Sequence, residues 1–194
     1  MLNIVNAPNP VLSLKAKEVK KIDKSILKLL AEMSQALLSA KDPVGVGLAA
    51  PQVNRSLQIF IAKPTSKSPI QVFVNPKITQ KTEISHLTIT RGRVMKLNAS
   101  SSKKSQGTKL EGCLSLLNIW GNVKRESSVA ISYLDEKGRY HSRRFSGFLS
   151  TIIQHEMDHL DGILFPKRVL EQKGILYKSK KNEKGEDIFE EIEL

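Results

Sequence analysis

The spacing of apolar residues along the chain predicts one ordinary amphipathic helix near the N-terminus. Between Asp23 and Ala40, apolar residues recur at every third or fourth position, as Ile26, Leu29, Leu30, Met33 and Leu37. This period predicts a helix that Asp23 caps and that ends before Pro43. We expect its apolar stripe to pack in the core without a role in binding a cofactor.

Shorter apolar segments rich in β-branched residues predict strands separated by turns. They are residues 57–62, 71–75 and 86–97, a hairpin of 127–134 and 138–145, and two late strands at 175–179 and 187–194. Residues 1–19 are expected to be irregular, 98–107 to form a loop tip, and 168–172 to form a helical turn. Helices and strands mixed in this way within 194 residues predict an α+β fold with one core.

A second helix is predicted from Ser146, its N-cap, to Gly162, where it ends. Counting back from His155 places Ile152 and Phe148 on the same stripe as His155 and His159. The face that carries the two histidines is therefore apolar on its N-terminal side, as a buried site with an apolar wall requires.

The sequence His155-Glu156-Met157-Asp158-His159 places two imidazoles one helical turn apart. Such a pair binds a transition metal, and Glu156 is placed to take a proton from a water that the metal activates. A structural metal site usually needs four protein ligands, so two histidines with a glutamate base favour a catalytic metal. The alternative is an ordinary buried helix that carries two histidines.

Cys113, in the sequence Glu111-Gly112-Cys113-Leu114-Ser115, is the single cysteine of the chain. It is a candidate for a buried small residue, for a nucleophile with His155 or His159 as its base, or for a third metal ligand. The last interpretation joins the two motifs into one site with one sulfur and two nitrogen ligands.

The sequence from Gly45 to Gln52 has glycines at alternate positions and ends in an amide. Glycine lets a backbone approach a ligand closely. The lysine of a phosphate-binding loop is missing, so on its own the segment predicts a tight turn of small residues.

Composition adds a strongly basic charge and an expected compartment. The net charge is +12, and basic residues concentrate at 91–109 and 167–184. This favours an anionic neighbour such as RNA, although a solvated basic surface explains it equally well. No apolar stretch reaches the length of a membrane span, no signal peptide is recognisable, and one cysteine fits a reducing compartment, so a cytoplasmic protein is expected.

Taken together, these motifs resemble those of peptide deformylases. That family shows Gly-x-Gly-Leu-Ala-Ala-x-Gln, Glu-Gly-Cys-Leu-Ser and Gln-His-Glu-x-Asp-His in this order, and all three are complete at 45–52, 111–115 and 154–159. The resemblance runs from about Val11 to Val169. Two departures stand out. Leu117 occupies the place of the family's usual proline, and the span between Asn75-Pro76 and Glu111 is longer than usual.

The resemblance implies an enzyme that removes the N-formyl group from the formylmethionine of nascent peptides and releases formate. It implies small mixed or antiparallel sheets around a central metal-binding helix, with an N-terminal helix. One divalent metal is expected on Cys113, His155 and His159, most commonly Fe²⁺, with Zn²⁺, Ni²⁺ or Co²⁺ as substitutes.

The resemblance also implies roles for the surrounding residues. Glu156 is the catalytic base, and the Gln52 side chain and the Leu114 backbone N–H stabilise the oxyanion. The candidates for binding the peptide and its methionine are the loop residues Gly45, Val46 and Gly47 and the helix residues Phe148 and Ile152. We further expect one catalytic domain over 1–194, with a basic insertion at about 81–109 and a C-terminal tail at about 170–194.

The expected partners are N-formylmethionyl nascent peptides and the ribosome near its exit tunnel. The protein is expected to come from a bacterium or an organelle, to be a monomer and not to bind membranes.

Two other function classes compete with this prediction. One is a zinc peptidase whose third ligand is Glu171 or Glu190, which leaves Cys113 idle. The other is a non-catalytic RNA- or ribosome-binding protein, against which the intact Glu156 argues.

Overall fold

The computed structural model describes residues 2–85, 110–183 and 185–193. The α-helices are α1 (Lys24–Ser39), α2 (Gly147–Leu160) and α3 (Phe165–Glu171), and Pro10–Ser13 and Ala50–Val53 form short 3-10 helices. The strands are β1 (Gly47–Ala49), β2 (Ile59–Ala62), β3 (Gln71–Ser85), β4 (Glu111–Cys113), β5 (Leu116–Gly121), β6 (Arg125–Leu134), β7 (Tyr140–Ser146), β8 (Leu176–Lys181) and β9 (Asp187–Glu191). The predicted α+β class is confirmed.

The larger sheet has five antiparallel strands in the order β1-β2-β3-β6-β7. β6 and β7 form the predicted hairpin, with an unbroken register from Ser128 opposite Ser146 to Leu134 opposite Tyr140. The carboxylate of Asp135 closes the turn by accepting the backbone N–H groups of Lys137 and Arg139. This hairpin delivers the chain directly to the start of α2.

The smaller sheet has four antiparallel strands in the order β4-β5-β8-β9. β4 carries the motif that contains Cys113, and β8 pairs with β5 through Trp120 opposite Tyr177. The expected C-terminal tail therefore supplies half of the strands in the sheet that holds Cys113.

The helix α1 is stabilised as its sequence predicts. The side chain of Asp23 accepts the backbone N–H groups of Ser25 and Ile26, which satisfies two donors that the first turn leaves free. Its apolar stripe is buried in a cluster with the inner side of β2, which includes Ile59 and Ile61. The stripe therefore serves to pack the core.

The helix α2 lies between the two halves of the fold and is almost wholly buried. Ile152 and Ile153 are fully buried against Phe60, Phe73 and Ile131 of the larger sheet. Ser146 is the N-cap residue, but its side chain makes no capping hydrogen bond among the described residues. Gly162, just beyond the helix, has a φ of +70° and packs against the backbone of residues 13–14, so only glycine fits there.

Several predicted boundaries change. The predicted strand 71–75 continues to residue 85, so residues 81–85 of the expected insertion are strand and pair with β6. The segment from Gly45 to Gln52 is not a simple turn, because β1 and a 3-10 helix occupy it. The helical turn at 168–172 is part of α3, and residues 1–19 contain one short 3-10 helix. The predictions for 86–97 and 98–107 lie outside the described residues.

Candidate active site

Cys113, His155 and His159 meet at one buried point between β4 and α2. Their sulfur and nitrogen atoms all lie within 4.8 Å of one another, and the Cys113 Sγ is 3.2 Å from the His159 Nε2. Cys113 ends β4, while the two histidines lie one turn apart on α2. The fold therefore brings together the three residues predicted as metal ligands.

Glu111 fixes the orientation of His155. Its Oε1 lies 2.5 Å from the His155 Nδ1. Burial raises the pKa of Glu111, but the charges of Arg125 and His155 outweigh burial and lower the pKa to about 2. An ionised carboxylate only accepts hydrogen bonds, so the His155 Nδ1 donates and its Nε2 is left as the metal-binding nitrogen.

A chain of buried ion pairs extends from Glu111 along α2. Arg125 of β6 donates to both oxygens of Glu111, at 3.1 and 2.6 Å, and through Nη1 to the Asp158 Oδ2 at 2.6 Å. The other oxygen of Asp158 accepts from Arg168 of α3 at 3.1 and 2.7 Å. Glu111 and Asp158 thus each have a cationic partner, as burial of their charge requires.

No role for Glu111, Arg125 or Asp158 was predicted from the sequence. Glu111 and Asp158 lie inside two of the three motifs, so their positions two residues before Cys113 and one before His159 were the available signal. Arg125 carried no signal, because it stands 14 residues beyond Glu111 and outside every motif.

Glu156 lies against the same point, and its side chain is buried with Oε2 lacking a hydrogen-bond partner among the described residues. Burial raises its pKa to about 7. A Cβ added to Gly47 would overlap its Oε1 and lie 2.9 Å from the Ile152 Cγ2. Glycine at this position of β1 is therefore what lets the backbone approach the carboxylate.

A hydrogen bond from the backbone of Ala49 fixes the orientation of the Gln52 side chain. Its Oε1 accepts the Ala49 N–H at 2.8 Å, so the Nε2 is turned toward the Cys113 Sγ at 3.4 Å and the Ser115 Oγ at 3.2 Å. The amide nitrogen of Gln52 is thus presented to the ligand cluster. Reaching across from the 3-10 helix to β4, this side chain links two of the three motifs.

A cavity opens from this point between two backbone segments. Residues 43–47 line one side, residues 112–114 and Trp120 line the other, and Gln52, His155 and Glu156 form its floor. Gly45, Val46, Gly47 and Leu114 are therefore at the cavity. Phe148 and Ile152 do not line it: Ile152 is fully buried, and Phe148 packs partly exposed against the same apolar cluster.

The donor set of this cluster fits a transition metal. A thiolate and two imidazoles are ligands that iron, nickel, cobalt and zinc accept, and three protein ligands leave one position for a water or substrate. The His159 Nδ1, like the Glu156 Oε2, is buried and unpartnered among the described residues. Glu171 and Glu190 lie outside this group of ligands and pair instead with Arg168 and Lys180 at the surface.

Comparison with known proteins agrees with these motifs. The polypeptide deformylase family profile matches residues 1–174. The chain belongs to the polypeptide deformylase family. Among its relatives, the peptide deformylase of Chlorobaculum tepidum is 36% identical over 174 residues, which cover 87% of this chain and 80% of that protein. The peptide deformylase of Synechocystis is 36% identical over 82% of this chain and 74% of that protein.

Solved structures of deformylases share the fold. The Synechococcus elongatus peptide deformylase, crystallised with actinonin, superposes with a TM-score of 0.70 at 33% identity, covering 86% of this chain and 78% of that one. The Thermus thermophilus peptide deformylase gives a TM-score of 0.70 at 32% identity, covering 89% of this chain and 88% of that one. The predicted family, α+β fold and enzyme class are confirmed.

The chain is thus a metal-dependent hydrolase of the deformylase family, which removes the N-formyl group from nascent peptides. Cys113, His155 and His159 form the group that holds a single metal ion. The zinc peptidase and the non-catalytic binding protein are set aside. Within the described residues, no helix combines the length and the apolar character needed to cross a membrane.

Proposed function

We propose that Cys113, His155 and His159 hold one divalent metal and that Glu156 is the catalytic base of deformylation, acting on N-terminal formylmethionine. The observation that carries this assignment is the convergence of the three ligand atoms, Glu156 and the Gln52 amide on one cavity. These groups are fixed by three elements, β4, α2 and the 3-10 helix Ala50–Val53, so the arrangement exists before a substrate binds.

The metal, when bound, supplies the acidity that makes a water nucleophilic near neutral pH. Glu156 accepts the proton as the water oxygen bonds to the formyl carbon, and then delivers it to the amine nitrogen as the C–N bond breaks. The products are formate and a peptide with a free N-terminus. The raised pKa of Glu156 suits a group that both takes and returns a proton.

The negative charge that develops on the formyl oxygen needs donors already aimed at it. We assign this role to the Gln52 Nε2 and the Leu114 backbone N–H. The hydrogen bond from Ala49 to Gln52 supports the assignment, because it fixes which end of the amide faces Cys113. Leu114 follows Cys113 directly, so its N–H lies beside the same ligand.

Gly45, Val46 and Gly47 line the cavity where the edge strand β1 begins, and we propose that the peptide substrate lies beside them as an added strand. The methionine side chain would contact Val46 and the apolar wall behind it. Ile152 and Phe148 belong to the apolar cluster against which Val46 packs, so we propose that they shape this wall.

We propose Fe²⁺ as the native metal, with Zn²⁺, Ni²⁺ or Co²⁺ as substitutes, since a soft thiolate with two imidazoles accepts all four. Metal analysis of the protein purified without oxygen tests this proposal. In air, the iron form should lose activity as its thiolate oxidises, while the nickel form should keep it. Equal lifetimes of the two forms in air would contradict the proposal.

We further propose a monomeric, cytoplasmic enzyme with one catalytic domain that works beside the ribosomal exit tunnel. The basic stretches 91–109 and 167–184 are the proposed contacts with ribosomal RNA. Replacing Lys103, Lys104, Lys167 and Lys173 with glutamine should weaken cosedimentation with ribosomes, and raising the salt should weaken it in the wild type. Absence of ribosome binding at low salt would leave the charge as a solubility feature.

Formate release from formyl-Met-Ala-Ser, measured without oxygen and with each metal added, tests the proposed reaction. We expect one formate for each new N-terminal amine and no cleavage between methionine and alanine. A fully metal-loaded protein that releases no formate, or one that cuts the Met–Ala bond, would overturn the proposal.

A further inference from the structure

A second cavity begins where the candidate active-site cavity ends. Pro43 lines both cavities, so they are neighbours along one side of the molecule. The second cavity has a volume of about 360 Å³, bounded on one side by Asp42 and Pro43 and on the other by residues 178–181 of β8 and Asp187 of β9. An extended peptide that leaves the active site past Pro43 would enter it.

One departure of this chain from its family and a hairpin that lies beyond the family match meet at this cavity. Leu117, which stands where the family usually has proline, lines it together with Asn118, and its side chain is 54% exposed. The hairpin of β8 and β9 also lines it, and both strands lie beyond residue 174, where the family match ends. The cavity is therefore built largely by residues that the shared part of the fold does not supply.

The hairpin is firmly attached to the active-site wall. The Trp120 Nε1 donates to the Ser179 Oγ at 3.0 Å, and the Trp120 ring packs edge-on against Phe189 with centroids 5.9 Å apart. Trp120 itself lines the active-site cavity, where its ring fills the space that a Cβ on Gly112 would need. The second cavity thus keeps a fixed position relative to Cys113.

The lysines around the second cavity differ in whether they form ion pairs. Lys181 pairs with Asp187 at 2.9 Å, and Lys180 pairs with Glu190 at 2.6 Å. Asp42 also lines the cavity and has an interaction of its own. Lys178 is exposed and makes no ion pair within the part of the chain that the structure describes. Its ammonium group is therefore available for an anionic ligand.

We infer that the second cavity is a subsite for the substrate peptide and that Lys178 selects a carboxylate side chain at the third or fourth residue. Lys178 is then a specificity-determining residue that contacts the peptide outside the reacting centre. Strands advance about 3.3 Å per residue, so a side chain two or three residues beyond the formylmethionine has moved past the first cavity. This inference rests on the proposed function, because it takes the peptide to start at Cys113 and Glu156.

The test compares C-terminally amidated peptides, so that the only carboxylate is the side chain under study. The pairs are formyl-Met-Ala-Glu-Ala against its Gln counterpart, and formyl-Met-Ala-Ala-Glu against its Gln counterpart. We expect kcat/KM to favour glutamate about three- to fivefold in one pair at low ionic strength. The preference should shrink at 0.5 M salt, where the screening length falls to about 4 Å.

Substitution of Lys178 decides whether this residue is responsible. Lys178→Gln should bring the Glu/Gln ratio close to one, and Lys178→Glu should invert it. Lys28→Gln, which removes the same charge at an exposed position of α1 outside both cavities, should keep the wild-type ratio. A wild-type ratio of one in both pairs, or a ratio that survives Lys178→Glu, would overturn the inference. Formate release from the glutamine peptides reports separately on the proposed reaction.

Discussion

The Nδ1 atom of His155 lies 2.5 Å from the Oε1 atom of Glu111, and both side chains are almost completely shielded from water. A neutral imidazole has only one nitrogen free to bind a metal, and this hydrogen bond decides that it is Nε2. The residue two positions before the cysteine ligand therefore orients a histidine ligand 44 residues away in the chain.

Glu111→Gln should weaken metal binding about 10- to 100-fold, because the amide no longer fixes the imidazole as an anion does. The measurement is metal retention in competition with a chelator. Glu171→Gln is the matched control, since Glu171 ends the same chain of ion pairs on the surface. Its metal affinity should match that of the wild type. Equal retention by both variants would contradict the positioning role of Glu111.

Arg125→Met should lower the free energy of unfolding by about 3–5 kcal/mol, because it leaves the buried Glu111 without a cation. Asp158 keeps Arg168 as a partner, so most of the loss should come from Glu111. Urea unfolding at neutral pH measures the change. Arg125→Lys should recover part of the lost stability, since lysine restores the positive charge but cannot form the bidentate pair with Glu111. A loss below about 1 kcal/mol for Arg125→Met would show that the pair is not essential to stability.

Glu156→Gln should keep the metal and the fold but lower kcat for formate release about 10²- to 10⁴-fold, because the amide cannot accept the proton. Metal content and the thermal unfolding midpoint check that the variant is intact. Asp161→Asn changes an acidic residue that lies five positions later and half exposed to solvent, and it should leave kcat unchanged. Near wild-type kcat in Glu156→Gln would remove this residue from the proposed chemistry.

Gly47→Ala should abolish most activity while the protein stays folded, because the new methyl group overlaps the Glu156 carboxylate and forces it to move. Gly147→Ala is the complementary variant. Its added methyl group meets nothing within 4 Å among the described residues, but the φ of +63° strains any residue with a Cβ. It should lose about 1 kcal/mol of stability and keep its activity. An active Gly47→Ala variant together with an inactive Gly147→Ala variant would contradict the contact between Gly47 and the Glu156 carboxylate.

Asp135→Asn should destabilise the protein at pH 7, and the destabilisation should shrink as the pH falls. Burial raises the pKa of Asp135, but hydrogen bonds from His141, Arg139 and Lys137 outweigh it and hold the pKa below its usual value. A depressed pKa adds stability above the unfolded-state value of about 3.9, and this stability is lost as the pH falls further. Urea midpoints at pH 7 and at about pH 2.5, which lies below the unfolded-state pKa, test this, with the exposed Glu136→Gln as control. If the difference in urea midpoint between the wild type and Asp135→Asn does not shrink at the lower pH, the depressed pKa of Asp135 is contradicted.

Several elements of the fold follow from signals that are local in the sequence. Helical spacing and the Asp23 cap predicted α1, alternation and a turn predicted the β6–β7 hairpin, and four-residue spacing put His155 and His159 on one face of α2. The ordered motifs then predicted the family. These features depend on neighbours in the chain, so periodicity and motif order are enough to find them.

Contacts between groups that are distant in the sequence became visible in the folded chain. Arg125 begins β6 in the larger sheet and reaches Glu111, which begins β4 in the smaller sheet, and no residue near Arg125 in the sequence indicates that contact. The C-terminal segment was expected to be a tail, yet β8 completes the sheet of Cys113 because an edge of β5 was open to pair with it. Such contacts depend on the packing of whole elements, which satisfies buried charges and strand edges by partners that are distant in the sequence.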